Sequence, residues 1–264
     1  MLIGICGKPE DVPAVEGLDY VEPTVADVLC PLADEDAFEA RLAELAALPR
    51  PVLAANCFIP GDLKTTGPDV RPRQLDAFVR TALNRAARAG VKVIVFGSGG
   101  SRRVPEDWDP RTARAQLIEH LGRWGPAAAT AGVVIALEPL NKGECNIVNG
   151  VDEGAAIVRE VGLPGIRLLV DTYHMARDGD DVNAIRRAGD LIVHVHVAEN
   201  AERGPLGQAG EDMGAYFQAL AEVGYDGGIS IEARWSDLPA QAAAAVGELR
   251  RQWNPHARAG VARR

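Results

Sequence analysis

The sequence is poor in cysteine, in aromatic residues and in net positive charge. Its 264 residues include only four cysteines, Cys6, Cys30, Cys57 and Cys145, which are widely spaced and form no C-x-x-C pair. That spacing argues against a zinc ribbon or a redox dithiol and predicts reduced thiols. Lys and Arg total 28 against 37 Asp and Glu, a formal charge of -9, so a nucleic acid partner is not expected.

Long apolar runs are also missing. Nowhere do about 18 apolar residues follow one another, and the chain does not open with a basic stretch before an apolar one. We therefore expect no membrane partner and a soluble protein of the cytoplasm. The composition, 47% hydrophobic and 25% charged, is that of a globular chain long enough to bury a large core.

Short runs rich in Val, Ile and Leu alternate with longer segments that carry apolar residues at helical spacing. The eight short runs begin at Leu2, Asp19, Pro51, Val91, Val133, Arg167, Leu191 and Gly228. The clear helical segments are Asp34 to Ala47, Gln74 to Ala89, Arg111 to Ala131, Asp152 to Val161, Asp212 to Val223 and Pro239 to Trp253. A short helix after the first strand and a weak one near Asp181 to Ala188 complete the pattern.

Eight β/α units in about 250 residues are typical of a closed parallel barrel, whereas a doubly wound open sheet has fewer strands. We predict an α/β fold with a single (β/α)8 TIM barrel over residues 1–254. A basic, flexible C-terminal tail is predicted over residues 255–264. In such barrels the chemistry lies at the carboxyl ends of the strands, which indicates where to look for functional residues.

Four potential metal ligands lie at the ends of four successive strands. Glu138 closes the fifth strand, Asp171 the sixth and Glu232 the eighth, while His196 lies near the end of the seventh. Because these ends converge on one rim, the side chains can surround one divalent ion. Oxygen-rich ligation with one nitrogen favours Mn²⁺, Mg²⁺ or Co²⁺ over a structural zinc site.

Two histidines on the seventh strand permit a second interpretation. His194 and His196 are two residues apart, so both side chains point to the same side of the strand. If His196 reaches the metal, His194 lies beneath it as a supporting or packed residue. The residues leave open the alternative that the H-x-H pair supplies two zinc ligands.

Other polar or aromatic residues near the strand ends are candidates for substrate contacts. His174 follows Asp171 by three residues and can donate to a substrate hydroxyl, or it is an ordinary surface histidine. Asn141 offers a neutral hydrogen bond, and Trp108 can stack on a sugar or simply pack. Arg203 can hold an anionic or hydroxyl group.

A glycine-rich run, G-S-G-G from Gly97, can cradle a phosphate or make a tight turn, and we favour the turn. Barrel phosphate sites more often follow the seventh and eighth strands. Those loops here carry the acidic residues Glu199, Glu202 and Asp237. An unphosphorylated sugar or polyol is therefore favoured.

Several segments together resemble a known family. They are L-E-P-L-N-K-G-E from Leu137, L-L-V-D-T-Y-H-M from Leu168, H-V-H-V-A-E-N-A-E-R-G from His194 and G-Y-D-G-G-I-S-I-E from Gly224. They are similar to the sugar phosphate isomerase/epimerase family of xylose isomerase-like TIM barrels. The similarity is strongest to its ketose 3-epimerase and hydroxypyruvate isomerase branches. N-C-F-I-P-G from Asn56 extends it to the third strand end.

The resemblance implies one divalent ion, Mn²⁺ or Mg²⁺ with Co²⁺ as an alternative, held by the four strand-end residues. It also implies that Glu138 and Glu232 act as paired acid and base on a carbohydrate substrate. His174, Glu144 and Arg203 match positions that contact substrate oxygens in this family. Family members suggest a homodimer or homotetramer.

We therefore predict a metal-dependent isomerase or epimerase of carbohydrate metabolism, which moves a proton of a ketose or keto-polyol through an enediolate. A metal-dependent lyase of the inosose or dehydroshikimate dehydratase type is the alternative, because loss of a β-hydroxyl can follow from the same intermediate. A DNA-repair endonuclease of the same superfamily would need more strand-end histidines than this chain has, since it contains five histidines in all. A barrel that binds a sugar without turnover is the remaining alternative.

Overall fold

A computed structural model describes residues 1–254 with their side chains and the backbone as far as residue 261. The predicted basic tail, residues 255–264, lies outside the fully described residues. The chain forms eight β-strands, named in chain order. They are β1 (Leu2–Cys6), β2 (Tyr20–Glu22), β3 (Ala54–Ala55), β4 (Val93–Phe96), β5 (Val134–Leu137), β6 (Ile166–Asp171), β7 (Ile192–Val197) and β8 (Gly228–Ile231).

The strands form one parallel sheet in the order β2-β1-β8-β7-β6-β5-β4-β3. Two isolated parallel bridges, Val21 with Val52 and Thr24 with Asn56, join the two ends of this order. The sheet is therefore nearly closed on itself, and the prediction of an α/β barrel with eight strands is confirmed. All the carboxyl ends of its strands lie at one rim.

Ten α-helices are found in the described part of the chain. They are α1 (Val25–Leu29), α2 (Glu35–Ala46), α3 (Pro72–Ala89), α4 (Gly99–Arg102), α5 (Pro110–Ala131), α6 (Val151–Val161), α7 (Thr172–Asp178), α8 (Asn183–Ala188), α9 (Gly214–Glu222) and α10 (Leu238–Val261). The six clear predicted helices correspond to α2, α3, α5, α6, α9 and α10. Local signals set their ends: the Asp34 carboxylate accepts a hydrogen bond from the Ala37 N–H at the start of α2. Gly90 ends α3 with a left-handed φ of 80°.

The connection between β1 and β2 differs from the prediction of a short helix. It consists of turns and extended chain and has no helix. Pro9 and Pro13 each lack a backbone N–H, and Gly17 has a φ of 85°, so a regular helix is disfavoured there. The short helices α1, α4 and α7, which follow the ends of β2, β4 and β6, have too few residues to show a period in the sequence.

The barrel interior is divided into an apolar and a polar part. Val95, Ala136 and Leu169 form a small apolar cluster contributed by β4, β5 and β6. Glu22 and Ser230, from β2 and β8, are instead fully buried polar residues. The main hydrophobic cluster extends along the chain from Ile3 to Trp253, which supports a single domain over residues 1–254 as a proposal. In the described residues, no helix is long and apolar enough to cross a bilayer.

Candidate metal centre and active site

The four predicted ligands converge at the carboxyl rim of the barrel. Glu138 directly follows β5, Asp171 ends β6, His196 lies in β7 and Glu232 directly follows β8. One ligand atom from each lies within 4.8 Å of the ligand atoms of the other three. Three of the four residues are buried, while Glu232 is partly exposed. The fold thus brings residues spread over almost 100 positions into one cluster.

The imidazole of His196 is oriented by a buried carboxylate. Its Nε2 lies 2.8 Å from Glu22 Oε1, while its Nδ1 lies 3.1 Å from Glu232 Oε2 and 3.4 Å from Glu138 Oε1. Because Nε2 donates its proton to Glu22, Nδ1 is the nitrogen available to the cluster. Burial by itself lowers the pKa of His196, but the charge of Glu22 and the smaller effects of Cys6 and Glu232 together outweigh it and raise the pKa well above its ordinary value.

A hydrogen-bonded network lies beneath this imidazole, inside the barrel. The other oxygen of Glu22, Oε2, lies 2.7 Å from His194 Nε2 and accepts a hydrogen bond of 2.5 Å from Ser230 Oγ. Tyr20 Oη lies 2.7 Å from the same Ser230 Oγ. His194 thus lies below His196 as a supporting residue, with ring centres 5.2 Å apart. It is not among the cluster of potential ligands in the described residues.

Asp171 both caps a helix and belongs to the cluster. Its Oδ1 caps helix α7 by accepting from the Tyr173 N–H at 2.7 Å and from the His174 N–H at 3.2 Å. Its Oδ2 faces the cluster, 3.6 Å from His174 Nε2 and 3.4 Å from Arg203 Nη2. The helix start therefore fixes the carboxylate in the direction that the cluster requires.

Glu138 and Glu232 lie in unlike electrostatic environments. Burial raises the pKa of Glu138, and its Oε1 is buried without a hydrogen-bond partner among the described residues. Burial alone would also raise the pKa of Glu232, but the charges of His196 and Arg203 lower it to about 2. Such a divergence between two neighbouring carboxyl groups is typical of acid and base pairs.

The donor set suits a divalent cation. Three carboxylates and one imidazole nitrogen give an oxygen-rich site with charge enough to neutralise such an ion. Two observations support the fit: the buried Glu138 Oε1 has no hydrogen bond, and His196 Nδ1 is turned toward the carboxylates. A cation at this position would satisfy both atoms.

Four of the five predicted substrate-binding residues surround the cluster. His174 Nδ1 accepts a hydrogen bond of 2.8 Å from Asn141 Nδ2, so its remaining ring proton is on Nε2, toward Asp171. Asn141 Nδ2 also donates to Glu144 Oε1 at 3.0 Å. Arg203 lies 3.7 Å from the same Glu144 oxygen and donates to Glu232.

Trp108, the fifth, packs against the hydrophobic core. Its indole N–H is buried and has no hydrogen-bond partner among the described residues. It therefore makes no hydrogen bond to the cluster residues within the part of the chain that the structure describes. Its role in binding substrate stays a prediction.

Reasoning from the sequence missed two charged residues that hold this rim. Arg102 is fully buried and donates to the backbone carbonyls of Glu138 at 2.9 Å and Phe96 at 3.2 Å, which ties the ends of β5 and β4 together. No pattern separates it from its exposed neighbour Arg103.

The second is Glu199, whose fully buried carboxylate holds the loop that follows β7. It accepts hydrogen bonds from the backbone N–H groups of Gly207, Ala209, Gly210 and Glu211. The Glu211 carboxylate in turn accepts from the N–H groups of residues 200 and 201. These two sets of hydrogen bonds close the loop over residues 199–211, and this loop carries Arg203, which has a left-handed φ of 56°. In the sequence, this role of Glu199 is indicated only by the presence of an acidic residue two positions after β7.

The glycine-rich run after β4 packs closely and leads directly into helix α4, which begins at Gly99. A Cβ atom added to Gly97 would lie 2.1 Å from Glu138 Oε2. One added to Gly99 would lie 3.0 Å from the Glu144 carbonyl oxygen. Glycine is therefore required where the chain passes beside the cluster.

Comparison with known proteins agrees with the barrel fold. The family described as "Xylose isomerase-like TIM barrel" matches residues 14–252. The L-ribulose 3-epimerase of Mesorhizobium japonicum is 33% identical over 184 residues, which cover 67% of this chain and 60% of the relative. The 3-dehydro-D-guloside 4-epimerase of Escherichia coli is 29% identical over 186 residues, covering 67% of this chain and 71% of the relative.

A solved structure of E. coli 3-keto-D-glucoside 4-epimerase is 25% identical, with a TM-score of 0.75. The superposition covers 95% of this chain and 99% of that one. The alignments with other ketose epimerases are shorter. In them, this chain spans about half the length of the relative.

Proposed function

The chain belongs to the xylose isomerase-like TIM-barrel family, and we propose that it is a metal-dependent isomerase or epimerase of a ketose or related keto-sugar. The observation that carries the proposal is the convergence of Glu138, Asp171, His196 and Glu232 within 4.8 Å of one another. The relatives described above are epimerases, and they do not favour the lyase alternative. We further propose Mn²⁺ or Mg²⁺ as the ion, with Co²⁺ as an alternative, because the donors are mainly oxygen.

The four cluster residues would hold the ion. When bound, the ion would supply Lewis acidity that makes the proton beside a substrate carbonyl easier to remove. Glu138 and Glu232 are the acid and base of the proposal. They follow different strands, β5 and β8, so one can take a proton from the substrate carbon while the other returns one. Return to the same carbon inverts it, and return to the neighbouring carbon interconverts an aldose and a ketose.

The surrounding residues would bind and orient the sugar. His174, held by Asn141 through Nδ1, presents its Nε2 proton toward the cluster as a donor to a substrate oxygen. Arg203 is kept beside Glu232 and stacks over the Tyr173 ring at 4.8 Å from its centre. Both donors are buried or nearly so, which excludes water from the substrate.

The cellular location and the oligomeric state of the protein are also proposals. The four cysteines are free thiols, as expected of a protein of the cytoplasm. A homodimer or homotetramer is proposed from the family resemblance alone.

Uptake of deuterium from heavy water tests the proposal. Protein loaded with Mn²⁺ would be incubated with D-fructose, D-psicose, L-ribulose, an inosose or hydroxypyruvate, and the recovered compound analysed by NMR. We expect uptake at the carbon beside the carbonyl of at least one sugar. Glu232→Gln should reduce the rate by about 10²-fold or more, because it removes an acid or base. Glu202→Gln, an exposed change in the nearby loop, is the matched control.

Metal content separates the possible outcomes. Mass spectrometry of the dialysed protein should find one ion per chain, and Asp171→Ala should lower that number. If one ion is bound and no compound exchanges, the isomerase proposal is refuted for these substrate classes. If an inosose loses water instead, the lyase alternative replaces it.

A further inference from the structure

A cavity of about 680 Å³ adjoins the cluster on the side of β2, β3 and β4. Its walls come from the segments that follow these strands, together with Phe78 of α3. The volume lies within the range of small-molecule sites and exceeds what one sugar ring needs. Space is therefore available for more than the reacting sugar.

The residues that line this cavity carry no charge. They are apolar or neutral, among them Leu32, Ile59 and Phe78, with hydroxyl groups only from Thr24 and Ser98. A phosphate group would find no cationic side chain among these lining residues to offset its loss of hydration. The lining thus favours an uncharged and mainly apolar occupant.

One wall of the cavity is fixed by a buried arginine. Arg85, which is 5% exposed, donates to the backbone carbonyls of Leu29, Cys30, Ala33 and Asp34. Its guanidinium also lies 4.7 Å from the centre of the Phe38 ring. The turn that presents Leu32 to the cavity is therefore held at both ends, and the wall is preformed.

Strained backbone is concentrated around the same cavity. Cys30, Cys57 and Ser98 have φ values of 44°, 51° and 42°, which non-glycine residues adopt rarely. All three line the cavity, although they come from three different segments. Ser98 Oγ accepts a hydrogen bond of 2.9 Å from the Ile59 N–H, which joins two of the segments. Strain of this kind is commonly found where a binding surface must have a particular shape.

The cavity lies beside the reaction site, because Gly99, one of its lining residues, packs 3.0 Å from the Glu144 carbonyl oxygen when a Cβ is built on it. Ser98 directly follows Gly97, which packs against the Glu138 carboxylate. A group attached to a sugar at the cluster can therefore extend into the cavity.

We propose that this cavity receives an uncharged, apolar group joined to the sugar substrate through an ether or glycosidic oxygen. The proposal rests on the isomerase or epimerase function above and narrows its substrate class to sugars substituted in this way. Free ketoses would bind with the cavity unfilled, and sugar phosphates would be disfavoured there. Leu32, whose side chain is largely exposed at the cavity, would contact the apolar group.

Equilibrium binding tests the proposal without depending on turnover. The probes are one ketose, its benzyl ether and its phosphate ester, both substituted at the hydroxyl farthest from the carbonyl. The ketose is the one that exchanges deuterium fastest, or D-fructose if none exchanges. Isothermal titration calorimetry with Mn²⁺-loaded protein should give a Kd about tenfold lower for the benzyl ether than for the ketose. The phosphate ester should bind no better than the ketose.

The variant Leu32→Glu tests the cavity itself. It is expected to fold normally because Leu32 is 78% exposed, and it should remove the advantage of the benzyl ether while leaving the Kd of the ketose unchanged. Leu2→Glu is the matched control, since Leu2 is also an exposed leucine and lies at the opposite end of the barrel. It should change neither Kd.

Two results would overturn the proposal. One is equal binding of the benzyl ether and the ketose, or preference for the phosphate ester, in the unaltered protein. The other is a change of oligomeric state in Leu32→Glu by analytical ultracentrifugation with an unchanged benzyl ether Kd, which would assign the cavity to an interface between chains. Absence of deuterium exchange with retained benzyl ether preference would refute the proposed function and leave the cavity assignment supported.

Discussion

Replacing Glu199 by glutamine should weaken catalysis without changing any group that touches the substrate. The buried carboxylate accepts four backbone N–H groups from residues 207–211, and Arg203 lies in the loop that these bonds close. Glutamine has one acceptor oxygen instead of two, and its NH2 group would face backbone donors. At least one charge-assisted hydrogen bond is lost, which corresponds to about 1.5–3 kcal/mol of loop stability.

The expected consequence is a less ordered Arg203 beside Glu232. A displacement of about 1 Å in a substrate-positioning group can cost about 10²-fold in rate, so we expect kcat/KM to fall about 10- to 100-fold. The metal content should stay at the value of the unaltered protein, because Glu199 is not in the ligand cluster. The free energy of global unfolding, measured in urea, should change less than the stability of this loop.

Hydrogen exchange and kinetics together measure this effect. The amides of residues 207–211 should lose protection in Glu199→Gln, and KM should rise along with a lower kcat. Glu202→Gln is the matched control, because Glu202 is in the same loop with an exposed side chain. Loss of amide protection with an unchanged kcat/KM would refute the argument that this loop positions Arg203.

Three further predictions concern single side chains. Glu22→Gln should weaken metal binding about 10- to 100-fold, measured by competition with a chelator, because the carboxylate orients the ligand imidazole. Gly97→Ala should lower activity sharply, since the new Cβ would lie 2.1 Å from a Glu138 oxygen, whereas Gly122→Ala, with nothing within 4 Å, should leave activity intact. Burial and a neighbouring arginine lower the pKa of His120 to about 4, so only the unfolded state takes up its proton as the pH falls below about 6.5. The free energy of unfolding should therefore be about 2 kcal/mol lower at pH 5 than at pH 8 from this residue, and urea titrations of His120→Gln should lack that part of the decrease.

Much of the candidate site could be predicted because it depends on strand ends. Once eight strands are recognised from their apolar runs, the residue that ends each strand is known, and the barrel brings these residues to one rim. Glu138, Asp171 and Glu232 were predicted in this way. His174 and Asn141 follow Asp171 and Glu138 by three residues each, so they could be placed near the same rim.

The sequence by itself determined the alternation of strands and helices, because hydrophobic periodicity depends only on neighbours along the chain. The tertiary structure alone decided which nitrogen of His196 faces the carboxylates, because that choice is made by Glu22, which is 174 residues away. It also decided that Arg102 is buried and that Glu199 closes a loop, since the local sequence around each residue resembles that around an exposed charged residue. The cavity beside the cluster is formed by segments that pack together only in the closed barrel, so no local pattern encodes it.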